Sequence, residues 1–397
     1  MYLAFVGILL AYGIDASLPA FDQLREQFDL DARGVSPSII ITVYFFGIAA
    51  GQLVWGLLSD RFGRQPVLLA ATGFYAAGAI GSAFAPNLEM LLASRVLWGF
   101  GAAALNVLRF AIARDLFAGD QMARVVSTFS AIFLLGPIFA PVISEGILVV
   151  GNYQAVFGFG VFLAALVIVW TIRFGETLAP EHRRELRFGP IVETFRAILA
   201  TRITLWIGGV QIFATAAFLI WLGSSQPIID RVYGRESQFA IFFGISGLAM
   251  GASLLIVKPY IEQIGARRIA VFATAGYVAA CAVGSIMAFA TNGVPSVWAW
   301  FGWALVANVF SILVAPMSVS LALEPMADKA GTASSLLGVA QFGIGSTLAA
   351  VVDGMVDTTV TPMIVGSLVF GVASLACLLM ALRPTSSDSV RTQPVPL

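Results

Sequence analysis

Histidine is nearly missing from this chain, which carries only His182, and cysteine is almost as scarce, with Cys281 and Cys377 alone. One histidine in a charged stretch builds neither a histidine-based metal cluster nor a Ser-His-Asp triad within a membrane. Two cysteines in separate apolar runs make no disulfide framework; thiols so placed pack as small hydrophobes. Charge is thin as well. Only 11% of the 397 residues are Asp, Glu, Lys or Arg, against about a quarter in soluble domains. Lys plus Arg equals Asp plus Glu at 22 each, so no basic excess is available to hold nucleic acid. No cofactor, no metal and no nucleic-acid partner is expected. An enzyme or a receptor would need a cluster of reactive side chains that the sequence does not offer.

What fills the chain instead is apolar, at 59% of residues. A helix needs about 20 residues to cross the hydrocarbon layer, and lipid requires its backbone groups to be satisfied within the segment. Twelve runs meet that length: 2–21, 38–58, 67–84, 88–110, 125–150, 153–172, 203–222, 237–256, 269–290, 297–321, 331–352 and 362–382. The first lacks a basic leading region and is read as a retained helix rather than a signal peptide. The expected fold is all-α, with twelve transmembrane helices in two six-helix bundles. The N-terminal bundle spans 1–173, a polar cytoplasmic linker 174–202 and the C-terminal bundle 203–383. The Pro/Ser-rich tail 384–397 is expected to be disordered.

Basic residues orient the spans, because cytoplasmic loops retain Lys and Arg. An N-terminus inside places Arg61, Arg64, Arg114, Arg124, Arg173, Arg183, Arg184, Arg187, Arg196, Arg202, Lys258, Arg267, Arg268, Lys329, Arg383 and Arg391 in the cytoplasm. Only Arg25, Arg33, Arg231 and Arg235 then face out, and both termini are cytoplasmic. The halves also echo one another. GQLVWGLLSDRFGRQ from Gly51 and SLLIVKPYIEQIGARR from Ser253 both end a helix in an acidic residue, a glycine and arginine, so that Asp60 matches Glu262 and Gly63 matches Gly265. Duplicated helical bundles are common in transporters.

Asp15 is the charge that most needs a reason. An acidic side chain deep in a span costs about 2.5 to 3.5 kcal/mol on insertion scales, so it is expected to face a cavity or a partner. A carboxyl that gains and loses a proton there is what a proton-coupled carrier requires. Pro19, one turn on, should bend the helix. Arg95 is the second buried charge. Counted from the ends of their runs, Asp15 and Arg95 both lie roughly 10 Å deep, which makes an ion pair between the first and fourth spans an expectation. Arg109, near the other end of its span, is expected to snorkel to the interface.

The loop between the second and third spans, SDRFGRQP, confines Asp60, Arg61, Gly63 and Arg64 to a short turn before Pro66, with Gly51 and Gly56 on the helix ahead. Small residues there let helices approach closely. These residues resemble the loop motif of the major facilitator superfamily. The resemblance implies that Gly51, Gly56, Asp60, Arg61, Gly63 and Arg64 form a conformational latch between the two bundles. Arg95, followed by Gly99 and Gly101, resembles a fourth-helix motif in which an arginine takes part in proton transfer. Gly136, Pro137, Ala140 and Pro141 resemble the fifth-helix motif of drug antiporters. IDASLPAFDQL is similar to the first helix of the bicyclomycin and chloramphenicol resistance (Bcr/CflA) branch, which puts Asp15 at the carboxylate position of that branch. Ser144 and Glu145 stand where the antiporter motif has paired glycines after Pro141, and Lys258 and Pro259 interrupt the second-half loop motif.

Aromatic and amide side chains recur within the spans: Tyr12, Tyr44, Trp98, Asn106, Phe133, Gln211, Trp221, Asn308 and Gln341. A cavity they line would suit bulky amphipathic compounds. The function implied is a monomeric proton-coupled exporter of drug-like molecules in the bacterial inner membrane. Its partners are a small-molecule substrate, protons and the lipid bilayer. The same fold fits a proton-coupled importer or an exporter of sugars or amino acids, because a fold does not fix a substrate.

Overall fold

The computed structural model describes residues 1–117, 119–133, 135–183 and 189–383. The expected tail 384–397, and Arg184 and Arg187 of the linker, lie outside the described residues. The chain is nearly all helical. Among the described residues, ten helices have the length and apolarity to cross a membrane: α3 (Ile39–Phe62), α4 (Arg64–Ala83), α5 (Leu88–Leu116), α8 (Tyr153–Phe174), α10 (Arg202–Pro227, continued to Val232 by one π-turn), α11 (Phe239–Ile264), α12 (Ala266–Ala290), α13 (Val297–Leu323), α14 (Ala330–Asp353) and α15 (Thr361–Leu382).

The first and fifth spans differ from the continuous helices expected over 2–21 and 125–150. The first is α1 (Tyr2–Asp15), a run of turns, then the short α2 (Phe21–Gln27). The fifth is α6 (Gly119–Phe133) followed by α7 (Gly136–Val150). Proline is the common cause: Pro19 and Pro137 each lack the amide hydrogen that would extend the preceding helix. Two interrupted and ten continuous helices make the twelve spans of the fold, and α9 (Gly189–Ala200) lies between the two sets of six.

Within the first set, α5 packs on α3 and α4, α4 on α8, and α1 on α5, α6, α7 and α8. Within the second, α10 packs on α13, α14 and α15, and α12 on α13 and α15. The sets meet mainly where α3 lies along α14 and α7 along α11. Small residues make the closest approach. A Cβ on Gly99 of α5 would run into the Tyr44 carbonyl oxygen of α3, and one on Gly51 would sit 2.6 Å from the Phe100 carbonyl oxygen. Gly63 and Gly265 carry the echo between halves into three dimensions. Each ends one helix and begins the next, with φ of 104° and 87°, a region that L side chains rarely adopt.

Gly99→Val should therefore force α3 from α5 and destabilise the bundle by about 1 to 3 kcal/mol. Gly73→Ala, where an added Cβ meets nothing within 4 Å, should leave it unchanged. Thermal unfolding of the two variants in detergent, followed by size-exclusion chromatography, makes the comparison; equal melting temperatures would show that the α3–α5 contact is not limiting.

Candidate functional site

At the end of α1, proline chemistry and charge meet. The N–H of Leu18 bonds to the Asp15 carbonyl and that of Ala20 to the Ser17 carbonyl, each at 3.2 Å, in tight turns that carry the chain past Pro19. This leaves the Asp15 carboxyl 3% exposed inside the first bundle. Among the described residues it has no hydrogen-bond or ion-pair partner.

Arg95 is buried too, at 1% exposure, but it does not pair with Asp15. Its Nη2 donates to Ser17 Oγ at 3.2 Å and its Nε to the Ile40 carbonyl at 3.3 Å. The guanidinium lies 4.7 Å from the ring centre of Tyr44, 4.8 Å from that of Trp98 and 5.7 Å from that of Phe157. Such a desolvated cation–π contact is worth about 2 kcal/mol, so rings and oxygens supply what a carboxylate was expected to supply. Tyr44 itself packs against the Arg95 guanidinium. Its hydroxyl is buried without a partner, pressed against the backbone where Gly13 leaves room.

Arg109 departs from expectation as well. It is 5% exposed rather than snorkelled. Its Nη2 donates to Asn106 Oδ1 at 2.9 Å, and its guanidinium lies 4.6 Å from the Phe133 ring centre. An added Cβ on Gly7 would lie 3.1 Å from its Nη1, so α1 closes over this side chain and bars it from the interface. Arg95 and Arg109 thus sit at two levels of α5, each in its own aromatic cage.

The loop motif forms a compact charge cluster. Arg64, at the start of α4, reaches Asp60 Oδ1 at 2.6 Å, Ser59 Oγ at 2.9 Å and Asp115 Oδ2 at 2.8 Å. All four residues belong to the first bundle. Contact with the second runs through Gly56, where a Cβ would be 3.6 Å from Ser335 Oγ, while Arg61 is exposed over the Phe62 ring. Glu176, which sequence reasoning passed over, completes the loop. Its carboxylate accepts from the backbone N–H of Arg64 at 2.8 Å and Gln65 at 3.3 Å, and from Thr177 and Leu178 at 2.9 Å. It caps α4, where the helix dipole favours an anion, and it occupies the space a side chain at Gly63 would need. Among the described residues, nothing stands at the matching place beside Gly265.

The fifth-helix motif lies where the bundles meet. Gly136 packs against Ala11 of α1, and α7 lies on α11 through Pro137 and Ile138. A Cβ on Gly247 of α11 would sit 3.2 Å from Ile138 Cγ1. Two turns on, Glu145 accepts from the Ala240 N–H across the boundary at 3.2 Å, and Ser144 is buried. Ala140 and Pro141 are buried beside them.

The nine aromatic and amide residues fall into three groups. Tyr44 and Trp98 are buried around Arg95, and Tyr12 is buried beside Trp98, its hydroxyl donating to the Val156 carbonyl at 2.7 Å. Asn106 and Phe133 hold Arg109. In the second bundle Trp221 stacks on Phe243 beside Trp300, Gln341 donates to Thr215 Oγ1 at 2.8 Å, and Gln211 and Asn308 are buried. Tyr44 and Trp98 are fully enclosed, so in this conformation they are core rather than cavity wall.

The end of the molecule with few arginines is bridged by charge. Arg25 binds Asp22 at 2.5 Å and Asp230 of the second bundle at 3.5 Å, and Arg231 pairs with Asp31 and, at 3.8 Å, with Asp357. Gln226 donates to Asp22 at 3.0 Å. Nearby, Asp353 is 3% exposed and accepts from the Ser224 hydroxyl. It lies one residue past the apolar run read as 331–352, which is why sequence reasoning missed it.

The Major Facilitator Superfamily profile matches residues 3–350, and the chain belongs to that family of membrane transporters. It is 28% identical over 378 residues to the bicyclomycin resistance protein homolog of Haemophilus influenzae, covering 91% of this chain and 90% of that one. It is 27% identical over 392 residues to the multidrug resistance protein MdtL of Escherichia fergusonii, covering 96% and 94%. A crystal structure of a D-xylose-proton symporter shares the fold at TM-score 0.74 and 15% identity, covering 96% of each chain.

Burial pushes the Glu176 carboxyl up, but the four amides outweigh it and hold the group below its ordinary value of 4.5. Its contribution is therefore complete above that ordinary value and fades as pH falls through the lower, folded-state one. Glu176→Ala should raise amide exchange at Arg64 and Gln65 about fivefold at neutral pH, and in the native chain acid alone should do the same. Hydrogen exchange with mass spectrometry reads both; unchanged exchange in the variant would remove Glu176 as the cap.

Proposed function

We propose that the chain is a proton-coupled exporter of drug-like, amphipathic molecules, in which Asp15 carries the coupling proton and Arg95 tunes its surroundings. The observation that carries this reading is Asp15 itself: a carboxyl sealed in the first bundle without a cationic partner, at the point where α1 breaks. An ion-paired carboxylate has little reason to take up a proton, whereas one left unpaired in a low-dielectric site gains by doing so. Because Arg95 is held by Ser17, Ile40 and three rings, it forms no salt bridge with Asp15 and leaves the carboxyl unpaired.

The transport cycle follows from linkage. Only a ligand with different affinity for two conformations can drive one into the other. With the arginine-rich end in the cytoplasm of a bacterial cell, Asp15 gains a proton when the site opens outward, releasing substrate. It loses that proton when the site opens inward, restoring the charge that favours substrate binding. The loop cluster around Arg64 stabilises one of these states, and the bridged, arginine-poor end closes the outer side. The names of the similar proteins, bicyclomycin resistance and multidrug resistance, support export over import. The likeness to a proton symporter supports the fold alone.

Asp15→Asn should abolish accumulation of a toxic compound by everted vesicles under a proton gradient, reducing it at least tenfold, with membrane insertion unchanged. The compound comes from a sensitivity screen of a pump-deficient bacterium expressing the chain. Full gradient-driven accumulation by the variant would end the coupling role of Asp15. Uptake by right-side-out cells in place of efflux would reverse the direction proposed.

A further inference from the structure

We infer that Asp353 is a second proton-binding residue, in the C-terminal bundle, whose neutralisation favours closure of the two bundles at the arginine-poor end. The inference deepens the proton-coupled reading above and rests on it. It starts from isolation. Asp353 is the single Asp, Glu, Lys or Arg in α13, α14 and α15, and α10 adds only Arg202 at its far end. No cation reaches it among the described residues; its side-chain partner is the Ser224 hydroxyl of α10. An isolated carboxylate buried to this degree is costly unless it is neutralised.

Its position explains when that cost arises. A Cβ on Gly223 would lie 2.5 Å from Asp353 Oδ2 and 2.9 Å from Ser38 Cβ. Ser38 is the residue just before α3 of the opposite bundle, so glycine leaves a slot in which carboxyl and opposing helix meet. When the bundles part at this end, Ser38 withdraws and water reaches Asp353, which is then free to ionise. Closing them again requires the carboxylate either to shed its water while charged or to take a proton. The proton is thus a ligand with different affinity for the two conformations.

The same turn of α3 touches the first bundle's buried charge. The Ile40 carbonyl, two residues after Ser38, accepts from Arg95 Nε, and Arg95 Nη2 reaches Ser17, two residues after Asp15. One helical turn therefore stands between the Arg95 site and the Asp353 site. The other ionisable groups near this end include Asp230, Arg231, Tyr233 and Arg235 beyond α10, Asp357 beyond α14, Asp22, Arg25, Glu26, Asp29, Asp31, Arg33 and Glu89 of the first bundle, and Asp15 with Arg95 and Tyr44. Arg231 is engaged by Asp31 and Asp357, and Arg25 by Asp22 and Asp230. α15, packed on α10, brings no charge.

The test uses the full chain with both native cysteines replaced by alanine and spin labels at Ala32→Cys and Thr358→Cys, exposed positions on opposite bundles. Electron–electron distance measurements in lipid nanodiscs report closure as pH falls from mildly alkaline to mildly acidic. Asp353→Asn should hold the labels at the short distance throughout, whereas the native residue gives a pH-dependent shift. Ser224→Ala, which removes a hydrogen bond to the ionised form, should move the midpoint of closure about one pH unit toward alkaline. A midpoint unchanged in both variants overturns the inference; where Asp353→Asn does not fold, Ser224→Ala decides alone. Closure measured in the Asp15→Asn background separates the two proposals. A pH response that persists there and is lost on adding Asp353→Asn supports Asp353 even where vesicle transport has ended the role of Asp15.

Discussion

A guanidinium enclosed by a membrane bundle must be compensated by something, and in this protein the compensation is aromatic. Arg95 rests among Tyr44, Trp98 and Phe157 and gives its polar hydrogens to Ser17 and to the Ile40 carbonyl. That arrangement determines the packing around it. Trp98 is held where α4 has Gly78, Tyr44 where α1 has Gly13, and α3 is drawn onto α5 through Gly99. It also determines what remains unpaired. Had Arg95 taken Asp15 as its partner, the two charges would have satisfied each other and neither would respond to a proton. Diverting the arginine to rings and oxygens leaves the carboxyl chemically available, at the place where Pro19 has already opened the helix.

The number of spans was legible in the sequence because lipid enforces it: a run of about 20 apolar residues has few alternatives to a crossing helix. The duplicated loop was legible for a comparable reason. Gly63 and Gly265 hold backbone angles closed to most residues, so the glycines mark the turn in both halves. What the runs did not reveal was continuity. Apolarity carries straight through 2–21 and 125–150, and only the missing amide hydrogens of Pro19 and Pro137 interrupt the helices. Pro19 was read as a bend, and Pro137 only as part of a motif.

The site was harder to read, since depth along a helix is a one-dimensional quantity and pairing depends on which way a side chain faces. Asp15 and Arg95 were matched by depth, yet Ser17 stands in the place a carboxylate would have taken. Arg109 was placed near an interface by residue count, but Gly7 lets α1 pack over it. Glu176 gave no signal at all. It lies beyond its span in a loop, and its role as a cap arises from the meeting of α4 and α8, more than a hundred residues apart in sequence.

The two halves share an architecture and differ in where they keep their acids. Beside Gly63 a carboxylate caps the following helix; beside Gly265 no side chain of the described residues takes the corresponding space. The first half carries its buried carboxyl in the interrupted α1, and the second carries Asp353 on the last turn of α14. Duplication supplies the helices and their turns, because both are set by backbone geometry that a repeated sequence preserves. Charges follow a different rule. A buried acid is tolerated only where a local partner or a proton neutralises it, so each half keeps one where its own packing allows. The start of α3 bears on both places: its Ile40 carbonyl accepts from Arg95, and Ser38 just before it lies at the Gly223 slot where Asp353 sits.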